Sequence, residues 1–222
     1  IRNYLIMFSL EDGERKDVHY RSNRFGNRFI YDLYTNDNKA IEVTADGVHC
    51  IDIPEGVFLR SHTDNEQIMP DLSSPAEDLP FYIQKHFNIK SNQECIMLIS
   101  LILSCCHGRS INIPNLIVIG QKGSGKSTFL RYLQSIIDPK TTDLSSLVQK
   151  EEDLVIRLSS SGLFVCFDNV VGPLSLATEA TIAKAVTGAV TTRRALYSTS
   201  AETITDLRSV IAMNSIALPI RQ

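Results

Sequence analysis

Cysteine is scarce and scattered: Cys50, Cys95, Cys105, Cys106 and Cys166 form no C-x-x-C pair and have no histidine at metal-ligand spacing. A zinc module and a disulfide scaffold are thereby disfavoured, and a reduced, cytoplasmic protein is expected. His49, His62 and His107 form no ligand or catalytic constellation either, so surface or core roles are expected for them. No charge of one sign dominates, since the formal net charge is −3 and the isoelectric point about 6.0. A global basic footprint is absent, so any nucleic-acid contact has to be local or arise from oligomer geometry. The apolar run CIMLISLILSCC, residues 95–106, is too short for a membrane span and is predicted as a buried helix. There is no signal-peptide pattern, no internal repeat and no low-complexity tract. The chain starts at Ile1 rather than Met and stops at Gln222 soon after an apolar run, as expected of a fragment of something longer.

What is present is more specific. At 222 residues and 43% hydrophobic content, the chain has the length of one or two domains and enough apolar surface for a core. The stretch VIGQKGSGKSTFLRYL, residues 118–133, meets the pattern G-x-x-x-x-G-K-[ST] with Gly120, Gly125, Lys126 and Ser127, a P-loop candidate. Triphosphate oxygens bind best to several backbone N–H groups converging at a helix N-terminus, and only small residues let the chain approach that closely. The ATP-binding set is therefore Gly120, Gln121, Lys122, Gly123, Ser124, Gly125, Lys126, Ser127 and Thr128. Lys126 is expected to reach the β- and γ-phosphates, and the Ser127 hydroxyl to be a ligand of Mg²⁺. The flanks agree. NLIVIG, residues 115–120, reads as a buried parallel strand after Pro114. Phe129, Leu130, Leu133, Ile136 and Ile137 recur at helical spacing until Asp138 and Pro139 stop the helix.

Residues 1–60 are expected to form a small β-rich region, with strands at 28–35 and 39–53 and a hairpin turn at Asp46-Gly47. Residues 61–109 read as a linker and helical connector, with helices near 76–87 and 92–107, the second capped by Ser91 with Glu94 completing a capping box. Residues 110–222 are the expected ATPase core. Within it, Leu154, Val155 and Leu158 have helical spacing, and LFVCFDNV, residues 163–170, is an apolar strand predicted to end in Asp168. An acid at the carboxyl edge of a parallel sheet beside a P-loop suits Mg²⁺ binding, so Asp168 is a Walker B candidate. The next residue is Asn169, where many hydrolytic P-loop enzymes carry glutamate. An amide cannot act as a general base; Asn169 orients water, or the base comes from elsewhere, or hydrolysis is slow. Residues 194–199 and 202–205 read as two strands around a polar turn. SVIAMN, residues 209–214, is a further strand, whose terminal Asn214 is expected between the Walker B strand and the P-loop.

The order of P-loop, strand with Asp168, helix, Thr187-Gly188, the run RRALY at 193–197, hairpin and strand ending in Asn214 resembles superfamily 3 helicases of the AAA+ class. The likeness is to the helicase part of phage and poxvirus primase-helicases, and also to phage-like ATP-binding proteins of bacterial mobile elements, whose landmarks are similar to IIDP at 136–139 and FDN at 167–169. It implies an α/β P-loop NTPase fold with a three-layer core, and a homo-oligomer, hexameric by family, with ATP at subunit interfaces. By resemblance Lys126 and Ser127 hold nucleotide and Mg²⁺, Asp168 is Walker B, and Asn214 is the sensor. The hairpin at 195–205 corresponds to an element that faces DNA, although its turn STSAE carries no Lys or His. Arg193 and Arg194 at its base are the nucleic-acid contacts expected instead, and Arg194, Arg208 and Arg221 are the arginine-finger candidates.

The function expected is ATP-dependent unwinding or translocation of single-stranded or forked DNA in phage or mobile-element replication, without a membrane partner. An ATP-binding switch or scaffold that hydrolyses slowly is one alternative, and a P-loop small-molecule kinase a second.

Overall fold

A computed structural model describes residues 17–53, 56–73, 79–148, 150–188, 190–194 and 202–220; for the two strands that border 195–201 it describes the backbone only. The first four strands, β1 (Ser22–Phe25), β2 (Arg28–Asp32), β3 (Lys39–Thr44) and β4 (Gly47–Asp52), form an antiparallel sheet in sequence order. One face of it is sealed by Ile30, Ala40, Ile53 and Phe58. Thr44 pairs with Gly47, so the hairpin loop is Ala45-Asp46, one residue earlier than the sequence suggested. Gly47, at φ 143°, closes the hairpin in a conformation that a side chain would strain.

Two helices follow, α1 (Leu79–Phe87) and α2 (Asn92–Cys105). The Ser91 hydroxyl caps α2 by accepting from the Gln93 and Glu94 N–H groups, which satisfies two otherwise unpaired donors. Cys95, Leu98, Leu101 and Cys105 make its buried stripe. The apolar run predicted as a buried helix is thus buried on one face only, and Ile96 and Met97 are about two-thirds exposed, at 64% and 66%. Burial pushes the Cys105 thiol up to about 12 and raises that of Cys166 as well, so neither is a nucleophile at neutral pH.

The core is a parallel sheet in the order β5 (Leu116–Ile119), β10 (Val210–Ser215), β7 (Phe164–Val170), β6 (Ser145–Ser146). Side chains alternate across it. On one face Phe164, Cys166, Val210 and Ala212 pack with α1, α2 and α3 (Lys126–Ile137). On the other, Val165, Phe167, Ile211 and Met213 pack with α4 (Glu151–Ser160) and α5 (Leu176–Thr187). The chain is therefore a mixed α/β protein in which helices cover both faces of the parallel sheet. Leu154, Val155 and Leu158 are the buried residues of α4, as their spacing predicts. Two expectations are corrected. The strand of residues 115–120 is at the edge of the sheet with Ile119 half exposed, because among the described residues it pairs with β10 alone. A backbone hairpin of β8 (Val190–Arg194) and β9 (Glu202–Asp206) pairs Arg194 with Glu202; the first strand precedes the expected 194–199, and residues 195–201 lie outside the described residues.

A buried ionic cluster joins the N-terminal sheet to the far end of α3. Arg21, wholly buried, donates from Nε to Asp138 Oδ1 at 3.0 Å and from its terminal nitrogens to the carbonyls of Asp32, Asn65 and Pro139. The other Asp138 oxygen takes Lys140 Nζ at 2.9 Å and the Leu163 and Phe164 N–H groups at 3.2 and 3.3 Å. Lys140 also pairs with Asp64, and the Arg21 guanidinium lies 3.6 Å from the Tyr34 ring centroid. Removing one partner of such a pair strands a buried charge. Asp138→Ala is expected to cost roughly 3–5 kcal/mol of unfolding free energy, read from the urea midpoint; a loss below about 1 kcal/mol would mean that the cluster does not hold the sheet to the core.

Candidate nucleotide site

The loop between β5 and α3 is shaped by its glycines. The Gly120 N–H donates to the Ser215 carbonyl at 3.2 Å, fastening the loop to β10. A Cβ on Gly120 would stand 2.8 Å from Ser124 Oγ, so a larger residue here would require the Ser124 hydroxyl to turn away. Gly123 and Gly125 take φ 81° and 87°, values that cost other residues about 1–2 kcal/mol. Gly125 is the N-cap of α3 and offers no side-chain cap, so the first N–H groups of the helix point to the loop's concavity with the positive end of the helix dipole. The Lys126 ammonium folds over the same loop, donating to the Gly120 and Gln121 carbonyls at 2.7 and 2.8 Å. Gln121, Lys122, Ser124 and Thr128 are exposed around it.

At the carboxyl edge of the sheet three polar side chains from three elements meet. The Ser127 hydroxyl donates to Asp168 Oδ1 at 2.7 Å, and the Asn214 amide donates to the same oxygen. Asn214 is 1% exposed and its Nδ2 is 3.5 Å from Ser127 Oγ. Its Oδ1 accepts the backbone N–H of Asn169 at 2.7 Å. That N–H is free to turn because Asn169 adopts φ 54°, a left-handed conformation that asparagine tolerates better than most residues. The ladder shifts register between Met213 and Ser215, so that Asp168 and Asn169 together face Asn214, which is a β-bulge. The strand consequently does not end at Asp168 as predicted; it continues to Val170, and the bulge rather than a strand terminus aims the carboxylate. The sequence expectation that Asn214 lies between the P-loop strand and the Asp168 strand agrees with the strand order.

Two oxygen donors 2.7 Å apart, a hydroxyl and a carboxylate, suit a hard cation that keeps most of its other ligands as water or phosphate. Among the described residues no group of three or more His, Cys, Asp and Glu gathers as a protein-only metal site. Of the arginines singled out in the sequence, Arg208 precedes β10 at the opposite edge of the sheet, roughly 20 Å from Asn214 at the rise of a strand. There it donates to the Arg109 and Thr187 carbonyls. Arg193 and Arg194 fall in β8, whose side chains lie outside the description, and Arg221 lies outside the described residues.

Sequence reasoning missed a groove of about 900 Å³ that opens from the loop along β5 and is walled by the α1–α2 pair. Tyr132, one helical turn beyond Phe129, lines it and is 47% exposed. The signal was an aromatic just off the apolar stripe of α3. Among the described residues no helix is long and apolar enough to cross a membrane.

Residues 83–221 match the family model for the actinomycete integrative conjugative element replication protein. No curated protein matches the chain. Asn214→Ala leaves the Asn169 N–H and one side of Asp168 without their acceptor and donor. The expected loss of stability is about 1–3 kcal/mol by chemical denaturation, and an unchanged midpoint would mean that solvent replaces the amide.

Proposed function

The chain belongs to the family of actinomycete integrative conjugative element replication proteins, and from that premise we propose that it is an ATP-dependent nucleic-acid motor, a DNA helicase or translocase of the superfamily 3 and AAA+ type. The carrying observation is the meeting of Ser127, Asp168 and Asn214 within 3.5 Å beside a glycine-shaped loop and an uncapped helix N-terminus. In this reading residues 110–222 are the ATPase core, residues 61–109 connect to it, and residues 1–60 are a small β-rich N-terminal region.

Lys126 exchanges the Gly120 and Gln121 carbonyls for the β- and γ-phosphate oxygens, a stronger, charge-assisted pairing. The N–H groups at the start of α3 hold the phosphates from the other side. Mg²⁺ bound with the nucleotide would offset the charge that develops in phosphoryl transfer, and Ser127 and Asp168 are the residues that would hold it. Asn214 keeps Asp168 oriented and, through its bond to the Asn169 N–H, senses what occupies the γ-phosphate position. Arg193 or Arg194, at the end of β8, contacts single-stranded or forked DNA or the nucleotide of a neighbouring subunit in a hexamer.

Asn169 favours a second reading. It is exposed beside the site and, as an amide, can orient a water but cannot take its proton, which fits an ATP-bound switch or scaffold with slow turnover. Steady-state ATP hydrolysis with and without single-stranded DNA separates the two. A motor shows DNA-stimulated turnover that falls about a hundredfold or more in Lys126→Ala, by the usual scale for losing a preorganised electrostatic contact. Tight nucleotide binding with turnover at the Lys126→Ala level, indifferent to DNA, would overturn the motor and leave the switch.

A further inference from the structure

The glycine loop and the Ser127–Asp168–Asn214 group account for phosphates and metal, but not for the groove that continues from them. Its walls are unlike the loop. Phe87, at the end of α1, packs edge-on against Phe129 with ring centroids 4.9 Å apart and against Tyr132 at 6.3 Å and 82°. Tyr132 is thereby braced from one side by a buried phenylalanine while nearly half of its surface stays open. β5, with Ile119 exposed, and the partly buried Ile89 continue the apolar lining. Tyr132 follows Lys126 by six residues, roughly 9 Å of rise along α3, and both line the groove. The same groove includes Gly123, Ser124, Gly125 and Lys126, so an occupant of the loop reaches the aromatic wall without leaving the cavity.

We propose that this groove, resting on the reading of the loop as a triphosphate site, holds the nucleoside of the bound nucleotide by stacking on Tyr132, and that it accepts purine nucleoside triphosphates without distinguishing adenine from guanine. Strong discrimination between bases of one size requires buried donors or acceptors that the wrong base leaves unpaired. Of the polar side chains in the groove beyond the loop, His86, Asn88 and Glu94 are exposed, and the partly buried Asn115 is engaged in the sheet, its Oδ1 accepting the Ile211 N–H at 3.2 Å. A stacking platform selects for the area of a ring system, because every base presents a π-face.

The test uses the full chain and isothermal titration with the magnesium complexes of ATP, GTP, CTP and inorganic tripolyphosphate. ATP and GTP are expected to bind within about threefold of one another, CTP more weakly, and Tyr132→Ala to weaken both purine nucleotides roughly tenfold while tripolyphosphate shifts less than twofold. Tyr132→Phe keeps the platform and should behave as the parent. The chain contains no tryptophan, so Tyr132→Trp supplies a lone fluorophore whose emission should respond to ATP and GTP but not to tripolyphosphate. More than tenfold preference for one purine overturns the indifference to base. Tyr132→Ala changing ATP and tripolyphosphate equally, or neither, overturns the groove as the base site while the loop reading stands, provided tripolyphosphate binds the parent and not Lys126→Ala. Failure of tripolyphosphate to bind the parent chain would remove the loop reading, and this inference with it.

Discussion

A single left-handed residue inside the sheet sets the geometry at its carboxyl edge. Asn169 takes φ 54° between Asp168 and Val170, and in doing so removes its N–H from the ladder and gives it to Asn214 Oδ1. Two consequences follow from one torsion. The bulge sets two residues of β7 against one of β10, so the Asp168 carboxylate is turned toward α3, and the amide that accepts the released N–H is fixed with its other end on that carboxylate. A regular strand would return the Asn169 N–H to the ladder and leave the buried Asn214 carbonyl oxygen without that donor. The polar group at this edge is therefore a property of the backbone as much as of the side chains.

The helix that carries the loop is tied to β7 twice. At its start, Ser127 bonds to Asp168, near the end of the strand. At its finish, Asp138 accepts the N–H groups of Leu163 and Phe164, where the strand begins. Between these points α3 and β7 share the core that holds Leu130, Leu133, Phe164 and Cys166. Two aspartates, one from each element, thus fix the crossing of helix on strand at both ends. The first is shared with β10 through Asn214. The second is shared with the N-terminal sheet through Arg21, at a sequence separation of 117 residues.

What the sequence displayed of this depended on how local the cause is. The glycine loop was legible because its residue types are each forced by approach distance or by φ, and α3 and α4 because Leu130, Leu133, Ile137, Leu154 and Leu158 keep helical spacing. The place of Asn214 between two strands was legible from strand order reasoning alone. Asp168 was found but its setting was misread: an apolar run ending in an acid looks like a strand terminus, and nothing short of the register shows the bulge at Asn169. The edge position of β5 was hidden for the reverse reason, since LIVI is as apolar as a central strand. Alpha helix α2 likewise looked buried all round, yet Ile96, Met97 and Leu103 are exposed. Arg21 had no signal whatever, because its partners come from segments far along the chain.

The double tie also bears on what a change at the loop can do. A 12-residue helix is a rod of roughly 18 Å, and α3 has no proline or glycine at which to bend. If Ser127 moves relative to Asp168, the helix either rotates about its buried stripe or carries Asp138 with it. Rotation is opposed by Leu130 and Leu133, both fully buried, in a core that resists gradual deformation. Displacement of Asp138 is opposed by Arg21, Lys140 and two backbone N–H groups at once. Of these only Arg21 adjoins the N-terminal sheet, one residue before β1, and Arg21 is also held by the carbonyls of Asp32 and Asn65. The start of α3 and the four-stranded sheet are therefore joined by one contiguous set of packed, ionic and hydrogen-bonded contacts, in which the charge of Arg21 is the buried link.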